Sequence, residues 1–181
     1  MATLTNNVTG VAKMAQVLGV PTVLTMISPP GSPLKDPIFT SVTDVFPDQT
    51  PIEWVNTNAW SSPEFVAAIE ATGRRKIVMA GLWTEVCLQQ TALSAIRAGY
   101  EVYFVSDASG GMTPEAHQDA KLRMSQAGAR ACNWFGLLCE LCPDYSAPGY
   151  QALYPAVLAH GGGPSVASQY LMAQMSPGAH T

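Results

Sequence analysis

The sequence has little charge. Lys, Arg, Asp and Glu make up 12% of its 181 residues, about half of the usual quarter. A chain so poor in charge gains by covering part of its surface, so the composition favours a homo-oligomer. The net charge is −4 and the basic run 74–76 stands alone. The sequence therefore does not indicate a nucleic-acid-binding protein.

Long apolar runs are missing as well. The most apolar stretches, 17–27 and 77–83, are shorter than the roughly 20 residues of a membrane-spanning helix, so we expect no membrane partner. Residues 1–7 have neither the basic start nor the apolar run of a secretory signal. Cysteine is scarce too: three of the four cysteines fall within 132–142, which is not a disulfide framework. Together these absences predict a cytoplasmic protein.

What the sequence does contain is an alternation of strand-like and helix-like segments. Strands are predicted at 22–27, 76–81, 101–106 and 130–134, with a brief extended piece at 51–55. Helices are predicted at 7–18, 37–45, 63–72, 85–98, 113–127 and 135–141. Such alternation indicates crossovers between parallel strands. The prediction is an α/β protein with three αβα layers and a mostly parallel, Rossmann-like sheet.

The two ends of the chain depart from this pattern. The first predicted element is a helix that no strand precedes, whereas open α/β sheets usually begin with a strand. We therefore expect the first strand to be missing in front of Met1. Residues 145–181 are rich in Pro, Gly, Ala, Ser and Tyr. We interpret 1–144 as an N-terminally incomplete domain and 145–181 as a variable tail with one helix near 166–175.

The segment 80–87 carries the sharpest chemical feature. A buried strand ends in Gly81, the chain turns, and Cys87 falls in the first turn of the next helix. Ligands of open α/β sheets bind at the carboxyl ends of strands, where this turn lies. Free N–H groups at a helix start favour a thiolate and can hold an oxyanion. Two interpretations of Cys87 stay open: a nucleophile, or a small buried side chain that fills space.

Several segments, in this order, resemble the isochorismatase-like cysteine hydrolases. They are GLWTEVC at 81–87, ALSAI at 92–96 followed by Gly99, and VSDASG at 105–110. The segments 58–60, 123–129, 134–136 and 139–141 narrow the similarity to the YcaC-like branch. The resemblance extends from about residue 6 to residue 144.

This resemblance implies a six-stranded parallel sheet between helices, and a Cys-Asp-Lys type of catalytic set that hydrolyses amide-like C–N bonds of small molecules. It places the nucleophile at Cys87 and a cis peptide at Trp83–Thr84. The backbone amides of Trp83, Thr84 and Cys87 would form an oxyanion hole. Possible lining residues of the pocket are Trp54, Asn58 and Trp60. We expect no cofactor, and no metal, because the spaced Asp and His set of the metal-binding relatives is not supplied.

Two positions of the implied catalytic set depart from the family pattern. The general-base Asp would fall at the end of a strand ahead of Asn6, and the basic residue falls on Trp54. Acyl transfer to a thiol needs a base and a stabilising cation, so the alternative is a catalytically silent homologue with an assembly or binding role. The missing strand would lie between 22–27 and 76–81. Three outcomes remain: the neighbouring strands close the gap, another segment or subunit fills it, or the chain is a truncated gene product.

Four further features have a functional and a structural interpretation. Asp107 could replace the base or cap a loop, and His117 could transfer protons or serve a structural role. Glu85 is favoured near a helix start and would raise the pKa of a nearby thiol. Cys139 and Cys142 form a C-x-x-C that is a redox pair, half a metal site, or part of a core. The histidines of the tail are expected to face solvent.

Overall fold

The computed structural model describes residues 2–31, 38–163, 166–167 and 169–170. Its helices are α1 (Ala2–Val17), α2 (Thr40–Thr43), α3 (Pro63–Ala71), α4 (Gln89–Arg97), α5 (Pro114–Gln126), α6 (Trp134–Leu141) and α7 (Pro148–His160). Its strands are β1 (Thr25–Ile27), β2 (Ile52–Trp54), β3 (Lys76–Leu82), β4 (Glu101–Gly110) and β5 (Arg130–Cys132). A 3₁₀ turn, Ala59–Ser61, precedes α3, and a single π-helical turn, Thr84–Leu88, connects β3 to α4. We call Thr84–Leu88 the Cys87 turn.

All described strand pairs are parallel, which confirms the predicted α/β fold. β1 pairs with β2, and β3, β4 and β5 form a second sheet in that order. The longest strand, β4, has a neighbour on each side and is nearly fully buried at Val102, Phe104 and Val105. Its side chains alternate between two hydrophobic clusters. One is shared with α4 and α5, and the other with α1, α6 and α7. Helices therefore cover both faces of this sheet.

The five described strands form two sheets instead of the implied single sheet of six. β1 pairs only with β2, and β3 pairs only with β4. Across residues 2–31 and 38–163, no strand occupies the second edge of either β1 or β3. The neighbouring strands therefore do not close the gap by pairing with each other. The break lies between β1 and β3, where the family resemblance places a further strand.

The helix starts follow the capping residues of the sequence. The Ser62 hydroxyl accepts a hydrogen bond from the Phe65 N–H, and Pro63 occupies the first helical position of α3. The Thr113 hydroxyl does the same for the Ala116 N–H at the start of α5. Such caps satisfy N–H groups that have no partner inside the helix. No helix in the described part of the chain is long and apolar enough to cross a membrane.

Several predicted boundaries were wrong. α1 begins at Ala2 and not at residue 7, β4 continues to Gly110, and Trp134 belongs to α6 and not to β5. α1 begins early because its polar first turns still make contacts: the Asn6 side chain donates to the His160 carbonyl, and the Thr5 carbonyl accepts from the Thr9 hydroxyl. The predicted helix 37–45 shortens to Thr40–Thr43, and residue 37 lies outside the described residues.

α7 was not predicted from the sequence. Pro148, Pro155 and nearby glycines are typical of a loop, yet Pro148 occupies the helix start, where its missing N–H costs nothing. Leu153 and Val157 are buried in the cluster that α1 and α6 share. Most of the helix predicted at 166–175 lies outside the described residues. The domain boundary at residue 144 stays a prediction.

Candidate active site at the Cys87 turn

The Cys87 turn lies at the carboxyl end of β3. β3 ends at Leu82, the Leu82–Trp83 peptide bond is cis, and the turn continues directly into α4. The expectation of a cis bond at Trp83–Thr84 is wrong by one residue. Trp83 is the N-cap residue of the turn, and its carbonyl oxygen accepts hydrogen bonds from the N–H groups of Val86 and Leu88.

Cys87 is half-buried and free of any disulfide. The backbone N–H groups of Trp83 and Cys87 donate to its sulfur, which lowers the thiol pKa, but burial outweighs them and the pKa is raised overall. The backbone amides at the start of a helix therefore do not by themselves produce a thiolate here. Trp83, next to the sulfur, is 39% exposed. Cys87 is thus a partly accessible thiol that stays mostly protonated at neutral pH.

Two side chains connect the Cys87 turn to α5 and the loop before it. The fully buried Thr84 hydroxyl lies 2.9 Å from His117 Nδ1. Glu85 Oε1 accepts a hydrogen bond of 2.7 Å from the Met112 N–H. Burial, followed by the charge of Lys121, lowers the pKa of His117, whereas Glu85 raises it. His117 is thus part of the support of the turn.

Comparison with known proteins decides the family. The model of the isochorismatase domain matches residues 1–134. The chain belongs to the isochorismatase family. Probable hydrolase YcaC of Escherichia coli is 40% identical over 141 residues, which are 77% of this chain and 67% of that protein. Isochorismatase domain-containing protein 1 of Danio rerio is 32% identical over 142 residues, 77% of this chain but only 48% of that protein.

Solved structures of the isochorismatase family agree. The crystal structure of E. coli YcaC, described as an octameric hydrolase of unknown specificity, has a TM-score of 0.86 at 34% identity and covers 96% of this chain and 84% of YcaC. A second structure is that of YcaC from Pseudomonas aeruginosa, solved with hexane-2,5-diol and covalent acrylamide. It has a TM-score of 0.82 at 33% identity, and the alignment covers 94% of this chain and 84% of the P. aeruginosa chain. The YcaC-like resemblance is confirmed.

In this isochorismatase-family chain, the three expected lining residues have the following contacts. Trp54 ends β2, and its buried indole N–H has no hydrogen-bond partner within the part of the chain that the structure describes. The Asn58 side chain caps the 3₁₀ turn and donates to the Ser94 hydroxyl of α4. Trp60 packs edge-on against Phe65 and Tyr100. Their role as pocket lining, like the oxyanion hole, stays a prediction.

Two other candidates have structural contacts. Asp107 Oδ1 accepts a hydrogen bond of 2.9 Å from the Trp134 N–H at the start of α6, and the Asp107 carbonyl accepts one from Asn7. Cys139 lies in the last turns of α6 and Cys142 follows them, both as free thiols packed in the cluster with Trp134. Asp107 thus fastens α1 and α6 to β4, and the cysteine pair contributes to the core.

A polar network between α1 and α7 was not foreseen. His160 Nδ1 lies 3.0 Å from Asn6 Oδ1, and His160 Nε2 lies 3.0 Å from Lys13 Nζ. The expectation that this tail histidine faces solvent is wrong, because α7 brings it against α1. The network borders a cleft of about 690 Å³ that also includes Ser41 and Asp44. No residue of the Cys87 turn lines this cleft, so the cleft is separate from the candidate active site.

Proposed function

We propose that the chain is a cysteine hydrolase that cleaves an amide-like C–N bond of a small molecule with Cys87 as the nucleophile. The observation that carries the proposal is the placement of Cys87: a half-buried thiol in the turn that follows the carboxyl end of β3 and leads into α4. Family membership supports a hydrolase. The P. aeruginosa relative was solved with covalent acrylamide, an electrophile of small size that itself contains an amide.

The proposed reaction has two halves. The Cys87 thiolate adds to the amide carbonyl carbon, and the oxygen, now negative, is held by backbone N–H groups of the segment 83–87. The C–N bond then breaks, the nitrogen leaves with a proton as the amine, and a thioester remains. Water adds to the thioester, the C–S bond breaks, and the carboxylic acid and the free thiol are released.

A specific observation supports the alternative, a catalytically silent homologue. Burial raises the pKa of Cys87, and Trp54 occupies the position at which the family resemblance places a basic residue. Among the described residues, the groups that lower this pKa are backbone groups alone. Losing one member of a catalytic set typically lowers the rate by orders of magnitude. A silent homologue would keep the fold and its assembly while losing turnover.

Labelling with iodoacetamide separates the two. We expect Cys87 to be alkylated faster than Cys132, whose pKa is raised to about 11 by burial, with Glu140 and Asp107 adding to it. The rate at Cys87 should increase as the pH rises above 8, because its raised pKa leaves little thiolate below that value. Mass spectrometry locates the labelled site. Equal slow labelling of all four cysteines would contradict a nucleophilic role.

Turnover is tested on a panel of small primary amides by ammonia release, with Cys87→Ser as the inactive control. Activity that Cys87→Ser abolishes supports the hydrolase. Selective labelling of Cys87 without turnover of any amide would favour the silent homologue, whose thiol is accessible but unsupported by a base.

A further inference from the structure

Glu85 lies two residues before the proposed nucleophile, and its contacts suggest a role. We propose that Glu85 is a positioning residue: its carboxylate fastens the Cys87 turn to the loop 111–113 and so fixes the backbone around the Cys87 sulfur. This inference rests on the proposed function, since Glu85 acts through Cys87.

The contacts of Glu85 and Thr84 fix the turn at two points. Glu85 Oε1 accepts from the Met112 N–H, at 2.7 Å, and Thr84 Oγ1 lies 2.9 Å from His117 Nδ1. Two adjacent residues of the turn are therefore bound to one neighbouring segment, 112–117. A single hydrogen bond would allow the turn to pivot about it, whereas a second one beside it restricts that rotation. Glu85 supplies the bond to the loop, and Thr84 supplies the bond to α5.

The packing around Glu85 is tight. A Cβ atom added to Gly111 would lie 2.7 Å from His117 Cβ and 2.9 Å from Glu85 Oε2, so only a residue without a side chain lets the loop approach this closely. Glu85 Oε2 itself is buried and has no hydrogen-bond partner among the described residues. A buried carboxylate oxygen without a donor is unfavourable for folding. A positional role accounts for the carboxylate better than fold stability does.

The charge of Glu85 and its effect on the position of the turn would shift the pKa of Cys87 in opposite directions. If the Glu85 charge acted on the thiol, removing it would lower the pKa of Cys87. If Glu85 acts by position, removing it frees the backbone N–H groups from the sulfur and raises that pKa further. The causes of the present shift at Cys87 are burial and the two backbone amides, whereas the charge of Glu85, opposed by Lys121, acts on His117. These contacts favour position.

The test compares Glu85→Ala with Glu85→Gln in the full chain. The rate of Cys87 alkylation by iodoacetamide is measured across the pH range in which the thiol ionises, with the site located by mass spectrometry. We expect Glu85→Ala to move the midpoint of this profile upward by about 0.5 to 1 pH unit. Glu85→Gln, which keeps an oxygen for the Met112 N–H, should keep the wild-type midpoint. Glu64→Ala is the matched control, since it removes an exposed carboxylate from the first turn of α3.

A downward shift in both Glu85 variants would show that charge acts, and an unmoved profile in Glu85→Ala would show that the contact has no effect; either overturns the inference. If Glu85→Ala does not fold, Gly111→Ala takes its place in the test, because the added methyl group would displace Glu85 and His117. An unshifted midpoint in Gly111→Ala also overturns the inference. Wild-type protein in which Cys87 is not preferentially alkylated would refute the proposed nucleophile instead. The two failures are therefore distinguishable.

Discussion

At the scale of the residue, the candidate site depends on a balance at one sulfur atom. Burial raises the pKa of Cys87, and the N–H groups of Trp83 and Cys87 oppose that shift without cancelling it. A nucleophile in this state needs a base that takes its proton when substrate binds. In the proposed reaction the Cys87 turn would hold the nucleophile, and a base would have to accept the thiol proton.

Asp107 allows a residue-scale prediction that separates structure from catalysis. Asp107→Ala should lower the free energy of unfolding by about 1–2 kcal/mol, because the buried N–H of Trp134 loses its acceptor. Asp107→Asn keeps that oxygen and should unfold close to the wild type. Urea denaturation measures both. If Asp107 were the substitute base, Asp107→Asn would fold normally and lose all amide turnover.

The local arrangement around Cys87 could be predicted from the sequence, but the contacts that support it could not. The order of motifs indicated Cys87 and its turn, because a strand, a short turn and a helix start are local patterns. The contacts of Glu85 with Met112 and of Thr84 with His117 join residues 27 and 33 positions apart. No local pattern predicts such pairs. The net pKa shift of Cys87 also depends on burial, which a spacing argument does not measure.

At the scale of the element, α7 is held to α1 by apolar and polar contacts. Leu153 and Val157 enter the cluster that contains Met14, and His160 lies between Asn6 and Lys13. Burial, followed by the charge of Lys13, lowers the pKa of His160. With its Nδ1–H donated to Asn6, the neutral ring accepts at Nε2 from the Lys13 ammonium. Protonation would place two cations in contact.

We therefore expect acid to loosen α7 from α1. Because the folded state lowers the pKa of His160, the stability it contributes is present above the ordinary histidine value of about 6.5 and is lost as the pH falls below it. The fall in Tm between pH 7.5 and pH 5.5 should be smaller in His160→Gln than in the wild type. His117→Gln is the control variant, because His117 is another histidine whose pKa is lowered in the folded state. An equal fall in His160→Gln and the wild type would contradict this role.

Element types were predicted more reliably than element ends. β3, β4, α4 and α5 follow strong periodic patterns and were predicted near their true positions. α7 was missed because its prolines are typical of loops, while burial against α1 stabilises the helix. Tertiary packing overrides local propensity in such segments. The division into two sheets was indicated only through the family resemblance.

At the scale of the whole molecule, low charge and exposed apolar side chains favour self-association. Val55, Met112, Leu122 and Tyr145 are each more than half exposed, and the E. coli relative is described as octameric. We expect light scattering to give a mass several times the 19.2 kDa of one chain. The mass should persist at high salt, because apolar burial is not screened. A single-chain mass at micromolar concentration would contradict the prediction.

The second edges of β1 and β3 also have a consequence for how the protein behaves in solution. Peptide groups along an edge that no described strand covers need hydrogen-bond partners, and an extended polypeptide of suitable direction can supply them. We therefore expect the protein to be prone to cross-chain strand exchange and precipitation. Refolding at low concentration, or together with a short peptide that adopts an extended conformation, is the practical remedy.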